Sequence, residues 1–208
     1  MDIQRRIAEV LAAEAAAIMA VRVTAEFEQA VLALRDSSGK VLTTGMGKAG
    51  HVARKFASTL CSTGTPASYM HPGEAPHGDL GLIAPDDCIV AFSTSGKTRE
   101  VLEMLQLGRQ VGLKTVIGVT SHPDSDLRSL SDIVVDMGVI AEPCPHGLTP
   151  SASTAVMLAV GDALALTLME LKGVSRSEFG LRHHGGYLGQ AARADRNGSA
   201  HPRRAASR

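Results

Sequence analysis

Four short runs stay apolar without alternating in polarity: "VLTTG" (41–45), "CIVAFS" (88–93), "TVIGVT" (115–120) and "DIVVDMG" (132–138). Strands of this kind must be covered on both faces, which is the situation in a parallel sheet fed by helical crossovers. A fifth candidate is "ASYM" (67–70), and helical patterns at 50–61, 98–110 and 124–130 fill the gaps. Upstream, Ile3, Ile7, Val10, Leu11, Ala15, Ile18 and Val21 recur at helical spacing and predict a long amphipathic helix. Phe27, Ala30, Val31 and Leu34 predict a second helix that ends near "DSSGK". Downstream, residues 149–173 read as one long buried helix, with Pro150 and Ser151 suited to its start and Gly173 to its stop. The chain has 208 residues, ample for one core, and shows no internal repeat or linker. The fold class expected is α/β, a parallel sheet between two helical layers.

The charge balance removes several classes of partner. Twenty-one basic and 21 acidic residues give a formal charge of zero, so no global field recruits nucleic acid or a membrane. The last sixteen residues hold five Arg against one Asp, leaving the remainder near −4. That stretch, 193–208, is expected to be a disordered basic tail. Cys61, Cys88 and Cys144 form no CxxC pair, and their odd number fits a reducing cytoplasm. The N-terminus lacks the pattern of a signal peptide. The most apolar stretch, 155–169, is broken by Gly161 and Asp162 and reads as too short to cross a bilayer. A soluble, cytoplasmic protein is the expectation.

In open α/β sheets, ligands bind beyond the carboxyl ends of the strands. The loops to inspect are therefore "GMGKAGH" (45–51), "STSGKT" (93–98), "TSHPDSD" (120–126) and the segment before the last long helix. "GMGKAGH" has the G-x-G-x-x-G spacing of a dinucleotide loop. A dinucleotide site also needs an acid about 20 residues on for the ribose, and no Asp or Glu occurs between Gly50 and Gly73. "STSGKT" approaches a P-loop, but Ala91 stands where that motif needs its first glycine. What remains is a cluster of hydroxyls, Ser93, Thr94, Ser95 and Thr98, around Gly96 and just before a helix. Hydroxyls with helix N-terminal amides make a site for one phosphate group.

"GMGKAGHVARKFASTLCSTGTPASYMHPGEAPHGDLGLI", "STSGKT", "EPCPHGLTPSAST", "GDALA" and "HHGGYLG" occur together in this order. In that set the chain resembles the arabinose-5-phosphate isomerases of the sugar isomerase (SIS) family, from about residue 3 to residue 192. The resemblance implies a single SIS domain over 1–192, flavodoxin-like, a three-layer sandwich with a five-stranded parallel sheet. It implies interconversion of D-arabinose 5-phosphate and D-ribulose 5-phosphate, with no cofactor required. The family's catalytic positions fall on Lys48, Glu100, Glu142 and His183. An aldose–ketose shift through an enediol needs such a set: acid/base groups for the protons and a cation for the developing oxyanion. Which of Glu100, Glu142 and His183 takes the carbon proton is open at this level. Phosphate and sugar contacts are expected from Ser93, Thr94, Ser95 and Thr98, from backbone at Gly45 and Gly47, and from Ser62, Thr63, Ser151 and Ser153. His71 and His77 in "HPGEAPHGD" are candidate metal ligands; relatives take up zinc here, adventitious or inhibitory rather than essential.

The chain also departs from the family. Thr94 and Lys97 stand where Asn and Glu are usual, and His184 replaces a proline. The two CBS domains of longer relatives are absent from this sequence. These differences keep two alternatives in view: an isomerase for another sugar phosphate, and a non-catalytic sugar-phosphate sensor. Relatives bring their histidine from a neighbouring subunit, so a homotetramer with shared active sites is expected.

Overall fold

The computed structural model describes residues 1–194. Among these, eight helices and five strands follow in chain order: α1 (Ile3–Met19), α2 (Ala25–Asp36), β1 (Val41–Gly45), α3 (Gly47–Ser62), β2 (Ala67–Tyr69), β3 (Cys88–Phe92), α4 (Arg99–Gln110), β4 (Thr115–Thr120), α5 (Asp126–Leu130), β5 (Ile133–Asp136), α6 (Ala152–Leu171), α7 (Arg176–Arg182) and α8 (Tyr187–Ala194). Two 3-10 turns lie between β2 and β3. The five strands form one sheet, wholly parallel, in the order β2-β1-β3-β4-β5. The expected strands and helices are all present, with ends displaced by a few residues.

The central strands explain their unbroken apolar character. Cys88, Val90 and Phe92 point into one core with α2, α3 and α6; Ile89 and Ala91 point into a second core with α4 and α5. Successive side chains of a strand face opposite ways, so a residue run buried on both sides has to be apolar throughout. The tail residues 195–208 lie outside the described residues.

Two helices differ from their sequence reading. All four predicted core positions of α2 are buried, whereas α1 buries none of its residues. Ile3, Ile7 and Leu11 are 65%, 57% and 62% exposed, while Val10, Ala13 and Ala17 are half-buried where α1 runs along α6. The helical periodicity holds; the helix carries two stripes, and the more apolar one faces outward. The second case is α6, which at 20 residues is long and apolar enough to cross a membrane by length and composition, unlike the shorter stretch read from sequence. Half of its apolar window is buried, and the helix packs against α1, α2 and α3. Its apolar length fills the core.

Candidate functional site

The strand order reverses between β1 and β3, which pair in register with Gly45 opposite Phe92. The loops leaving those two strands therefore start side by side, at the switch point where open α/β sheets hold their ligands. They are the loops singled out from sequence, "GMGKAGH" and "STSGKT".

After β3 the chain turns sharply. Gly96 adopts φ +62°, and its amide receives the Ser93 hydroxyl and carbonyl as acceptors at 3.0 and 3.1 Å. Ser93 Oγ and Thr98 Oγ1 lie 2.9 Å apart, closing the turn on itself. A β-carbon at Gly96 would stand 2.2 Å from Ser125 Cβ, so only glycine fits here. The β4–α5 loop braces this turn from the side. The Thr94 carbonyl accepts from the Ser121 amide (3.1 Å), Thr120 Oγ1 (3.2 Å) and His122 Nδ1 (3.0 Å), while the Gly96 carbonyl accepts from the Leu127 amide. Because a carbonyl only accepts, His122 carries its proton on Nδ1 in this contact. This bracing was not anticipated from sequence, since it joins residues 26 to 31 positions apart.

The glycines of "GMGKAGH" answer a packing need within the chain. A side chain at Gly45 would strike the Ala49 backbone at 2.9 Å, and one at Gly50 would strike the Gly45 carbonyl at 2.6 Å. These two glycines let the first turn of α3 sit on β1. The Gly45 carbonyl accepts from Tyr69 Oη at 2.9 Å, which ties β2 to the same point. Gly47, at φ +58° with open space around it, sets the turn into α3. Lys48 follows on the first turn of α3, exposed, as Glu100 is on the first turn of α4.

Glu142 lies on the long segment between β5 and α6, and its carboxylate caps α6. It accepts the amides of Ser151 (2.8 Å), Ala152 (2.9 Å) and Ser153 (3.3 Å). Ser151, the expected cap, makes no side-chain capping bond. Burial works to raise the Glu142 carboxyl, but the Ser153 side chain and the three amides outweigh it and hold the group below its ordinary value of 4.5. Although Ser153 bears on that carboxylate, its hydroxyl is buried at 1% exposure and makes no hydrogen bond of normal geometry among the described residues. Thr44 Oγ1, at the end of β1, is likewise buried and unpartnered among them. Buried hydroxyls are rarely left unpaired, and two of them sit on elements that lead into the switch point. Thr44 was not singled out from sequence; its place beside "GMGKAGH" was the available signal. Two residues past Glu142, Cys144 Sγ accepts the amides of Thr149 and Leu148, each at 3.2 Å, and its thiol is lowered to about 6.

Three further groups of expected residues occupy other parts of the fold. Ser62 and Thr63 lie at the carboxyl end of α3, which runs back toward the amino ends of the strands, and Thr63 Oγ1 bonds the Thr59 and Leu60 carbonyls of its own helix. They are distant from the switch-point loops. His71 lies just beyond β2, where its Nδ1 accepts the Gly73 amide, and His77 is exposed. Among the described residues no group of three or more His, Cys, Asp or Glu is placed to hold a metal ion. His183 stacks on Phe179, with ring centroids 4.0 Å apart, and its Nδ1 lies 2.9 Å from the Phe179 carbonyl. The same helix sets Arg182 against Gly64, and Lys172 donates to Thr65 Oγ1, both just ahead of β2. Within one chain His183 thus lies toward the amino ends of the strands, away from Lys48 and the hydroxyl turn.

The SIS domain model matches residues 33–167. The arabinose 5-phosphate isomerase KdsD of Pseudomonas aeruginosa is 43% identical over 169 residues, 81% of this chain and 52% of its own length. The Yersinia pestis KdsD is 45% identical over 166 residues, 79% of this chain and 50% of its own. This chain thus spans about half the length of the curated relatives it matches. Among solved structures, c3406 of Escherichia coli CFT073 in complex with arabinose 5-phosphate is 40% identical with a TM-score of 0.84, covering 88% of this chain and 97% of that one. A Bacteroides fragilis structure is 42% identical with a TM-score of 0.86, covering 89% and 99%. Overall fold and sequence agree over most of the length, and the chain belongs to the SIS domain family.

Proposed function

We propose that this chain is a phosphosugar isomerase that interconverts D-arabinose 5-phosphate and D-ribulose 5-phosphate. The observation that carries this reading is the likeness to c3406 in complex with arabinose 5-phosphate, which extends over nearly the whole of that chain. In the proposed site the turn Ser93–Thr98 takes the phosphate, offering hydroxyls and the N-terminal amides of α4. Lys48 faces the sugar oxygens as a cation for the enediolate. A base removes the proton on C2 of the aldose while the C1 oxygen gains one, giving the enediol. The O2 proton then leaves and C1 is protonated, giving the ketose. Only protons are exchanged with the sugar, and the route needs no cofactor. Glu142, Glu100 and His183 are the acid/base set, with Glu142 held ionised at neutral pH by the head of α6. Because His183 lies far from the switch point of its own chain, the site is completed by a neighbouring copy, and the assembly is a homotetramer in the cytoplasm. The outward apolar stripe of α1 supports an assembly, and the free cysteines Cys61, Cys88 and Cys144 support a reducing compartment.

The test is an assay of the purified chain against a panel of pentose and hexose phosphates, with and without EDTA. Arabinose 5-phosphate is expected to be converted fastest, equally in both conditions. Binding of a sugar phosphate with no aldose–ketose conversion would replace this reading with a sensor.

A further inference from the structure

The segment 137–151 that presents Glu142 is held at its start by Met137 and Ile140, which pack on the main core, and has few anchors beyond them. "EPCP" (142–145) contains two prolines, which lack amide donors and cannot join a helix or a ladder. Glu142 ties one side of the segment to α6, and the Cys144 turn closes only on itself. A tie to another part of the fold comes from 137 positions away: the Arg6 guanidinium, on α1, donates to the Pro143 carbonyl, one residue past Glu142. Arg6 is half-buried, continues the stripe Val10, Ala13 and Ala17 that runs along α6, and is itself steadied by Glu9 at 3.4 Å. Thus α1, the Glu142 segment and the head of α6 form a closed triangle of contacts. We infer that Arg6 is a positioning residue: its bond to the Pro143 carbonyl fixes the backbone from which Glu142 reaches the site. This rests on the proposed role of Glu142 in turnover. It also gives α1, which buries nothing of its own, a task in the reaction.

A double-mutant cycle on the full chain tests this, with kcat and KM measured on arabinose 5-phosphate and thermal melts run alongside. Arg6→Ala is expected to lower kcat about three- to tenfold, the range for losing one typical hydrogen bond, with KM changed less than about twofold. Arg6→Lys, which keeps a donor, is expected to recover most of the loss and serves as the folded comparison if the alanine variant melts early. Arg5→Ala, on the exposed side of the same turn, should leave kcat unchanged. In a Glu142→Gln background, Arg6→Ala should cost nothing further, because its effect passes through Glu142. An equal cost in both backgrounds, or normal kcat in Arg6→Ala while Glu142→Gln is impaired, overturns the inference alone. Normal turnover in Glu142→Gln removes the Glu142 reading, and the inference with it.

Discussion

At the scale of single residues, the Glu142 carboxylate is the most informative group because it caps a helix and is also the acid/base group we propose for the reaction. Three amides at the head of a 20-residue helix stabilise its charge. Glu142→Gln is expected to cut turnover at least roughly tenfold, the low end for losing an acid/base group, while the chain stays folded. Its folded-state carboxyl lies below the ordinary value, so the stability it adds is present above the unfolded value and is lost as pH falls through the folded one. The Tm gap between the parent and Glu142→Gln should therefore be full at neutral pH and close on acidification below about pH 4. A gap that persists unchanged at low pH contradicts the ionised cap. Cys144 offers a second check on the same segment. With its thiol lowered to about 6, chiefly by the Thr149 and Leu148 amides, it should alkylate with iodoacetamide readily at neutral pH and slowly below about 6. Cys88, fully buried with its thiol pushed up to about 12 by desolvation, should stay unmodified in the native protein. Equal labelling of the two by mass spectrometry counts against this geometry.

At the scale of elements, the hydroxyl turn after β3 depends on one glycine. Gly96→Ala forces a side chain into the left-handed region and onto Ser125, and should cost at least about 2 kcal/mol. It should also weaken phosphate binding, since the turn cannot close with Ser93 and Thr98 as it does here; a melt and a phosphate titration read the two effects. The turn, the strand that feeds it and the helix that follows were legible in the sequence because they are local: a buried run, a hydroxyl cluster and a helical period lie within about 20 residues, the span of one such unit. The fold was legible for the same reason, strand by strand. Contacts between distant segments were not. Nothing around Thr94 announces that His122 and Ser121 brace its carbonyl, and nothing around Ser151 shows that Glu142 takes its place as cap. The α1 periodicity likewise shows which residues share a face, not which face turns outward. The place of Ser62 and Thr63 was not legible either, because a helix of 16 residues carries its end back to the opposite rim of the sheet.

At the scale of the molecule, the residues of the proposed site fall at opposite ends of one sheet. Lys48 and the hydroxyl turn belong to the carboxyl rim of the sheet, while His183 directly follows α7, whose Arg182 lies against Gly64 ahead of β2. A rigid sheet separates the two ends, so no rotamer change brings His183 across. If both groups act in turnover, the histidine comes from another copy, and closed symmetry then lets every site be completed in the same way. The outward stripe of Ile3, Ile7 and Leu11 is an exposed apolar surface that such packing would cover. Subunit mixing decides the matter. Glu142→Gln and His183→Ala chains should each be impaired at least roughly tenfold as homo-oligomers. Co-expressed in equal amounts, they form sites in which a normal Glu142 meets a normal His183, about a quarter of the total for random pairing in a closed assembly. Activity should return to about that fraction of the parent's. Co-expression without recovery, in an assembly shown by light scattering to contain both chains, would place each histidine in the service of its own subunit.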